Sequence, residues 1–355
     1  MIKRIVMTGG GSAGHVMPNI ALMPILKKHN YDICYIGSKN GIEKEIIKKE
    51  GIPYYEISTG KLRRYLSLKN VTDPFRILKG YFSSIKILKE LKPQVIFSKG
   101  GFVSVPVVFA ASHLKIPVVL HECDYTPGLA NKLTIPKAKT VCVSFKDTLK
   151  YISGNKAVYT GTPVRPSILT GDKKAGLDFL DFKDNKPILL IMGGSLGAHA
   201  INTVVDSILL KLISSFNVVH IRGKNNLNNE LKNIEGYRQF EYINEELSDI
   251  FAATDIMISR AGANAVFEIL ALRIPALLIP LPKSASRGDQ ILNAKYFSKN
   301  VYSSILFQED LTEKSLLSKI NALYHKKEKY IKNMRSATKN LAEEKIVEQI
   351  LKAIE

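Results

Sequence analysis

Short apolar, β-branched runs alternate with longer stretches of helical periodicity along most of the chain. The runs "KRIVMTG", "YDICYIG", "IPYYEI", "QVIFSKG", "IPVVLHE", "KTVCVSF" and "KAVYTGTP" predict strands, with helix-length segments between several of them. Successive βα units of this kind build a parallel sheet. Around 161–187 the alternation lapses into "GTPVRPSILTGDKKAGLDFLDFKDNKP", rich in turn formers and charge. It resumes with "ILLIMGGSLGAHAIN", "NVVHIRG", "RQFEYI", "DIMISRAG" and "IPALLIPLP", and the tail from about Leu311 has helical spacing with Lys/Glu faces. The pattern predicts an α/β protein with two Rossmann-like parallel-sheet domains facing across a cleft. The expected boundaries are 1–162, 163–335, and a C-terminal helix over 336–355 that packs back on the first domain.

Composition narrows the class. Of the 355 residues 45% are hydrophobic and 23% charged, as in soluble globular proteins. No stretch reaches the roughly 18 apolar residues of a spanning helix. The opening "MIKRIVMTGGG" breaks into glycines after a strand-length run, unlike a signal peptide, which places the protein in the cytosol. Cys34, Cys123 and Cys142 sit singly, without C-x-x-C spacing, and read as buried small hydrophobes. The net charge of +19 points to a polyanionic partner or to a lysine-rich composition. Basic residues do not interleave with aromatics and no zinc-finger or helix-turn-helix spacing occurs, so nucleic acid is not expected.

Candidate chemistry starts at Gly9, Gly11 and Gly14, which spell G-x-G-x-x-G after the first strand. A dinucleotide turn also needs an acidic residue at the end of the second strand to hold the ribose. That strand ends in Gly37-Ser38, and Asp32 lies at its other end. The loop runs directly into His15, read as lying in the first helical turn. There it is placed as a base; a capping or surface histidine is the plainer alternative. Similar turns recur as "SKGGFVS" at 98–104, "GGSLGA" at 193–198 and "SRAGANAVFE" at 259–268. All four belong to the C-terminal edges of parallel strands, where orphan amides and helix dipoles suit phosphate. No D-x-D pair stands at a strand end, so neither a catalytic metal nor a cofactor is expected.

The segments "GGGSAGHVMPNIAL", "SKGGFVSVPVVFAA", "HECDYTPGLANK", "GTPVR", "MGGSLGAHAIN", "SRAGANAVFEILALRIPALLIPLP" and "RGDQILNAKYF" run in order from Ile2 to about Lys299. Together they resemble the MurG family of bacterial cell-wall N-acetylglucosaminyltransferases. The resemblance implies a glycosyltransferase B fold with the nucleotide-sugar donor in the C-terminal half and a lipid-linked acceptor in the N-terminal half. It implies inverting transfer of GlcNAc from UDP-GlcNAc to the C4 hydroxyl of the muramyl sugar of lipid I, giving lipid II. A related transferase acting on diacylglycerol is the alternative. Other classes weighed are a nicotinamide-dependent oxidoreductase, disfavoured by the missing acid, and a non-catalytic membrane scaffold.

By the same resemblance His15 is the candidate base, with orientation of the acceptor as its other possible role. The backbone of Ser12, Ala13 and Gly14 faces sugar or diphosphate; Ser195 and Arg165 meet the donor diphosphate. Ile243 presents backbone to uracil, Ala263 begins the ribose-binding loop and helix, Glu268 holds the ribose hydroxyls, and Gln290 reads the GlcNAc hydroxyls. Two positions depart from the family. Asp124 in "HECD" replaces an Asn expected near the donor sugar, leaving its role open, and Ala13 replaces a glycine, which requires a negative φ there.

Residues 61–92 hold nine Lys/Arg against two Asp/Glu, interspersed with Phe75, Ile77, Leu78, Tyr81, Phe82 and Ile85. An amphipathic basic helix of this kind suits an anionic membrane surface, with half of the apolar residues facing the sheet. Phe75, Arg76, Lys79, Phe82 and Lys86 are the candidate contacts. The expected place is therefore the cytoplasmic face of the bacterial membrane, held peripherally.

Overall fold

The computed structural model describes residues 3–60, 69–194, 198–337 and 342–355, apart from the side chains of 13 and 69–72. The chain forms two compact units, Met1–Arg165 with Leu341–Glu355 and Pro166–Asn340.

The first unit is built on seven parallel strands: β1 (Lys3–Thr8), β2 (Tyr31–Ser38), β3 (Tyr54–Ile57), β4 (Val95–Ser98), β5 (Val118–Glu122), β6 (Thr140–Val143) and β7 (Ala157–Tyr159). They lie in the order β3-β2-β1-β4-β5-β6-β7. Ile5 pairs with Ile33 on one side and Val95 on the other, so β1 is central. Its Ile5, Val6 and Met7 are wholly buried, because helices cover both faces of such a sheet. The second unit repeats the plan with β8 (Ile188–Met192), β9 (Asn217–Ile221), β10 (Tyr237–Phe240), β11 (Ile256–Ser259), β12 (Ala276–Leu278) and β13 (Ser303–Ile305). Their order is β10-β9-β8-β11-β12-β13, all parallel. The α/β class with two doubly wound parallel sheets is thus as the sequence predicts.

Every strand named from the apolar runs forms. Two elements do not follow from those runs. The edge strand β13, "SSI", is too polar to stand out. A helix, Lys173–Leu180, occupies part of the lapse at 161–187: Asp172 caps it by accepting from Ala175 N at 2.7 Å, and Asp181 ends it at φ +47°.

The helix Ala342–Lys352 buries Ile346, Val347 and Ile350 in the first unit's core beside Leu22, Leu26 and Tyr31. It is pinned twice: Val164 N donates to the buried Glu343 carboxylate at 2.5 Å, and Lys139 Nζ donates to Ala353 O at 2.9 Å.

In the second unit a buried polar network ties β9 to the helix His199–Ile213. Arg222 donates to both oxygens of Asp206 at 2.5 and 2.8 Å. His220 Nε2 lies 3.0 Å from Asn202 Oδ1 and its Nδ1 lies 3.1 Å from the Tyr237 hydroxyl. Burial, reinforced by the Arg222 charge, pushes the His220 imidazole down to about 3. An unfolded histidine titrates near 6.5, so below that pH the unfolded chain binds a proton that the folded chain refuses. Stability from this site is complete above about pH 6.5 and is lost as pH falls toward 3. Urea unfolding at pH 7.5 and pH 5 is expected to show His220→Gln losing about 2 kcal/mol less than the wild type over that interval. Equal losses in the two proteins contradict the assignment.

Candidate functional site

In each unit the strand order reverses between two neighbours, β1 and β4 in the first and β8 and β11 in the second. Loops leaving neighbouring strands at such a switch point pass to opposite faces, which opens a crevice at their C-terminal ends. The four glycine-bearing turns leave these four strands. The helices Met17–Lys28, Ser104–His113, His199–Ile213 and Ala263–Leu272 follow them.

The first unit's two turns interlock. Gly11 and Gly101 have φ of +85° and +80°, open to glycine without strain. A Cβ on Gly101 would stand 2.4 Å from Gly10 O and 3.1 Å from His15 Cδ2. The imidazole of His15 therefore lies against the second turn, half-buried. His15 closes a 3-10 turn, Ala13–His15, just ahead of the helix rather than inside its first turn as the sequence reading had it. That turn also accommodates Ala13, since its backbone keeps φ negative. The amide of His15 donates to Ser12 O at 3.1 Å. Its carbonyl accepts from Asn19 Nδ2 at 3.2 Å, and Asn19 also donates to the Tyr35 hydroxyl, which donates to Gly9 O at 2.7 Å.

A third loop, after β5, joins them. Glu122 is buried and accepts from Asp124 N at 2.9 Å, Gly128 N at 2.9 Å and Asn131 Nδ2 at 2.8 Å. Glu122 thus shapes the loop on which half-buried Asp124 sits. Lys99 is buried in the second turn beside this loop; the burial of His121 itself, aided by the Lys99 charge, drives its imidazole well below the ordinary range. His121 Nε2 donates to Gly161 O at 2.8 Å. Glu122, Cys123 and Asp124 offer ligand atoms within 4.8 Å of one another. The donor set fits a metal poorly, because the Glu122 oxygens are occupied and burial pushes the Cys123 thiol up to about 12. Arg165 ends this segment of the first unit, half-buried.

The end of β2 argues against a dinucleotide. Asp32 stands at the opposite end, paired with Arg4 at 2.7 Å. A side chain on Gly37 would meet the Tyr54 hydroxyl at 2.2 Å, and that hydroxyl donates to Ser38 O at 2.6 Å. Tyr54 therefore packs directly over Gly37 at the end of β2.

In the second unit Gly262 caps the helix Ala263–Leu272, so Ala263 is its buried first residue and Glu268 lies half-buried in its middle. Gln290, second in the helix Asp289–Lys299, uses Oε1 to accept from Ala261 N at 3.3 Å and Leu281 N at 3.1 Å. The amide oxygen is thus used within the unit. Asn293 Nδ2 donates to Ala261 O at 3.1 Å, and buried Arg260 donates to Ile279 O at 3.1 Å. The ends of β11 and β12 are clamped together. Ile243, just beyond β10, is half-buried at a hollow of about 280 Å³ shared with Phe240, Tyr242 and Asn244. Ser195 lies outside the described residues.

The helix Lys69–Leu91 buries Asp73, Gly80, Ser84 and Leu88 and turns Phe75, Arg76, Lys79, Phe82 and Lys86 outward. Phe75 is 73% exposed and Phe82 59%. An apolar groove of about 720 Å³ runs between Ile77, Leu78 and Tyr81 on this helix and Val105, Pro106 and Phe109 on the next. Residues 61–68 of the basic stretch lie outside the described residues. Among the described residues no helix is long and apolar enough to cross a membrane.

Sequence reasoning assigned no role to Glu43, Lys99, Glu122, Asn131, Arg260 or Asn293. All but Glu43 fall inside quoted motifs. Glu122 and Asn131 are bonded within their own segment, where a loop rather than a helical or strand period joins them, whereas Arg260 and Asn293 reach backbone of neighbouring turns that local spacing does not reveal.

The chain matches the glycosyltransferase family 28 N-terminal domain over residues 5–143 and the family 28 C-terminal domain over 188–350. It is 56% identical over 351 residues, 99% of both chains, to the UDP-N-acetylglucosamine–N-acetylmuramyl-(pentapeptide) pyrophosphoryl-undecaprenol N-acetylglucosamine transferase of Clostridium botulinum (strain Langeland). The protein of that name from Clostridium perfringens (strain SM101) is 58% identical over 332 residues, 94% of this chain and 93% of that one. Among solved structures, MurG of Acinetobacter baumannii superposes with a TM-score of 0.78 at 27% identity, covering 99% of each chain.

The interlock predicts a contrast between two glycines of positive φ. Gly101→Ala meets backbone at 2.4 Å, whereas Gly154→Ala, at φ +77°, meets nothing within 4 Å. Urea unfolding is expected to show Gly154→Ala costing about 1 kcal/mol and Gly101→Ala at least about 2 kcal/mol more. Equal costs would remove the crowding argument.

Proposed function

Because the chain belongs to glycosyltransferase family 28, in its MurG group, we propose that it transfers GlcNAc from UDP-GlcNAc to the muramyl sugar of lipid I. The observation that carries this reading is identity of 56% from end to end with enzymes whose name states that donor and that acceptor. The same name favours the lipid-linked muramyl acceptor over diacylglycerol.

In the transfer, the acceptor C4 oxygen bonds to the anomeric carbon as the bond from that carbon to the UDP oxygen breaks, inverting the centre. The hydroxyl proton leaves to a base, and the diphosphate takes the bonding electrons. His15, held by its own carbonyl and by the second turn, is our candidate for the proton acceptor or for the group that orients the hydroxyl. Ser12, Ala13 and Gly14 line the acceptor side, with Asp124 on the adjoining loop. In the second unit Ser195 meets the diphosphate through its hydroxyl and nearby amides, and Ala263 begins the ribose-binding loop and helix; Arg165 is the candidate cation for the leaving group. Glu268 accepts from the ribose hydroxyls, Ile243 offers backbone to uracil, and the Gln290 amide donates to GlcNAc. In this reading the first unit takes the acceptor and the second the donor.

The outward face of Lys69–Leu91 is our candidate membrane contact. Phe75 and Phe82 enter the interface while Arg76, Lys79 and Lys86 meet anionic headgroups on the cytoplasmic face.

Measurements on variants test the reading. His15→Ala is expected to lower turnover by about 10²–10⁴ with UDP-GlcNAc binding unchanged, and Glu268→Ala to weaken UDP-GlcNAc binding about tenfold or more. If His15 is the base, the acidic limb of the wild-type pH–rate profile disappears in His15→Ala; if it only orients the acceptor, the limb stays. Retained turnover in His15→Ala contradicts both roles. Separately, Phe75→Ser with Phe82→Ser is expected to reduce sedimentation with phosphatidylglycerol vesicles without altering UDP-GlcNAc binding. Unchanged sedimentation would place the membrane contact elsewhere.

A further inference from the structure

Glu43 lies in the helix Ile42–Lys49, which follows β2, and its side chain is wholly buried. One carboxylate oxygen accepts from Gly11 N at 3.2 Å; the other accepts from Ser38 N at 3.1 Å and from Ser38 Oγ at 2.5 Å. Two glycines make the room. A Cβ on Gly10 would stand 2.6 Å from the Glu43 carboxyl carbon, and one on Gly41 would stand 2.2 Å from its oxygens. Three donors and two vacated side-chain positions thus converge on one carboxylate. A buried carboxylate tolerates its desolvation only under such satisfaction.

The amide at Gly11 belongs to the turn that, in a dinucleotide site, would face a phosphate. Here the anion is supplied from within the chain. A second anion at this amide would compete for the same donor and meet the Glu43 charge. The turn is consequently anchored at both ends, at Gly11 by Glu43 and at the His15 carbonyl by Asn19.

We propose that Glu43 is a positioning residue: a built-in anion that occupies the amide end of the first glycine turn, bars phosphate from it and fixes where His15 stands. The inference rests on the acceptor-side reading of this turn. It assigns diphosphate recognition to groups other than the Gly10–Gly11 backbone.

Glu43→Gln keeps the volume but has one acceptor oxygen and an NH2 group. With the oxygen left to Ser38, the Gly11 amide faces a donor and loses its bond. Glu43→Ala empties the pocket. In the full chain, hydrogen exchange at residues 9–15 is expected to quicken about tenfold in Glu43→Gln, with protection of β1 and β4 retained. With detergent-solubilised lipid I as acceptor, kcat is expected to fall about tenfold or more while the KM for UDP-GlcNAc stays within about twofold. Inorganic phosphate is expected to bind Glu43→Ala more tightly than wild type by phosphorus NMR titration and to inhibit it at concentrations the wild type ignores.

Unchanged exchange at 9–15, a donor KM that rises as far as kcat falls, or equal phosphate binding by wild type and Glu43→Ala would each overturn the proposal. If Glu43→Ala loses protection across β1 and β4, Glu43→Gln carries the test. Failure of the wild type to glycosylate lipid I would remove the transfer reading, while exchange and phosphate binding would still decide the role of Glu43.

Discussion

The reversal of strand order between β1 and β4, and again between β8 and β11, is the constraint from which the candidate site follows. Neighbouring parallel strands normally send their loops to one face. At the reversal the loops part, and the ends of both strands stay uncovered. Backbone must then approach backbone closely in the turns that line this gap. In the first unit Gly101 comes against the Gly10 carbonyl at a distance no side chain allows. His15 is placed by that packing, since its ring lies against the second turn and its carbonyl accepts from Asn19 in the helix that follows.

The two units stabilise their turns with different chemistry. The first uses buried carboxylates as internal acceptors: Glu43 for the first turn and Glu122 for the loop carrying Asp124. Each sits amid backbone N–H donors, which offsets the cost of burying charge. The second uses no buried carboxylate at the described turns but carboxamides, which the first also has in Asn19 and Asn131, and a guanidinium. Gln290, Asn293 and Arg260 span the ends of β11 and β12 through backbone groups. This division accords with the proposed roles, because a donor diphosphate would be repelled by carboxylates near its amides.

Much of the fold is legible in the chain because strand periodicity and burial are local. Each apolar run names a strand, and sheets covered on both faces leave those runs nearly unbroken. The edge strand β13 escapes because one side of it needs no apolar partner. The helix Lys173–Leu180 escapes because its capping Asp172 stands among turn formers that read equally as loop. The exposed face of Lys69–Leu91 is legible for the same local reason: aromatic and basic residues recur on one side of a helix whose small residues pack inward.

The sequence by itself determined the strands, the glycine turns that end them, the missing acid at Gly37-Ser38 and the position of His15 and Glu268 beside those turns. Tertiary structure alone decided what those turns are bonded to. Glu43 reaches Gly11 across 32 positions and Gln290 reaches Ala261 across 29. Such partners follow from strand order and register, which place distant segments side by side, and no local period records them. The first glycine turn, readable in the chain as a place for phosphate, is thus completed by a carboxylate from the helix after the second strand.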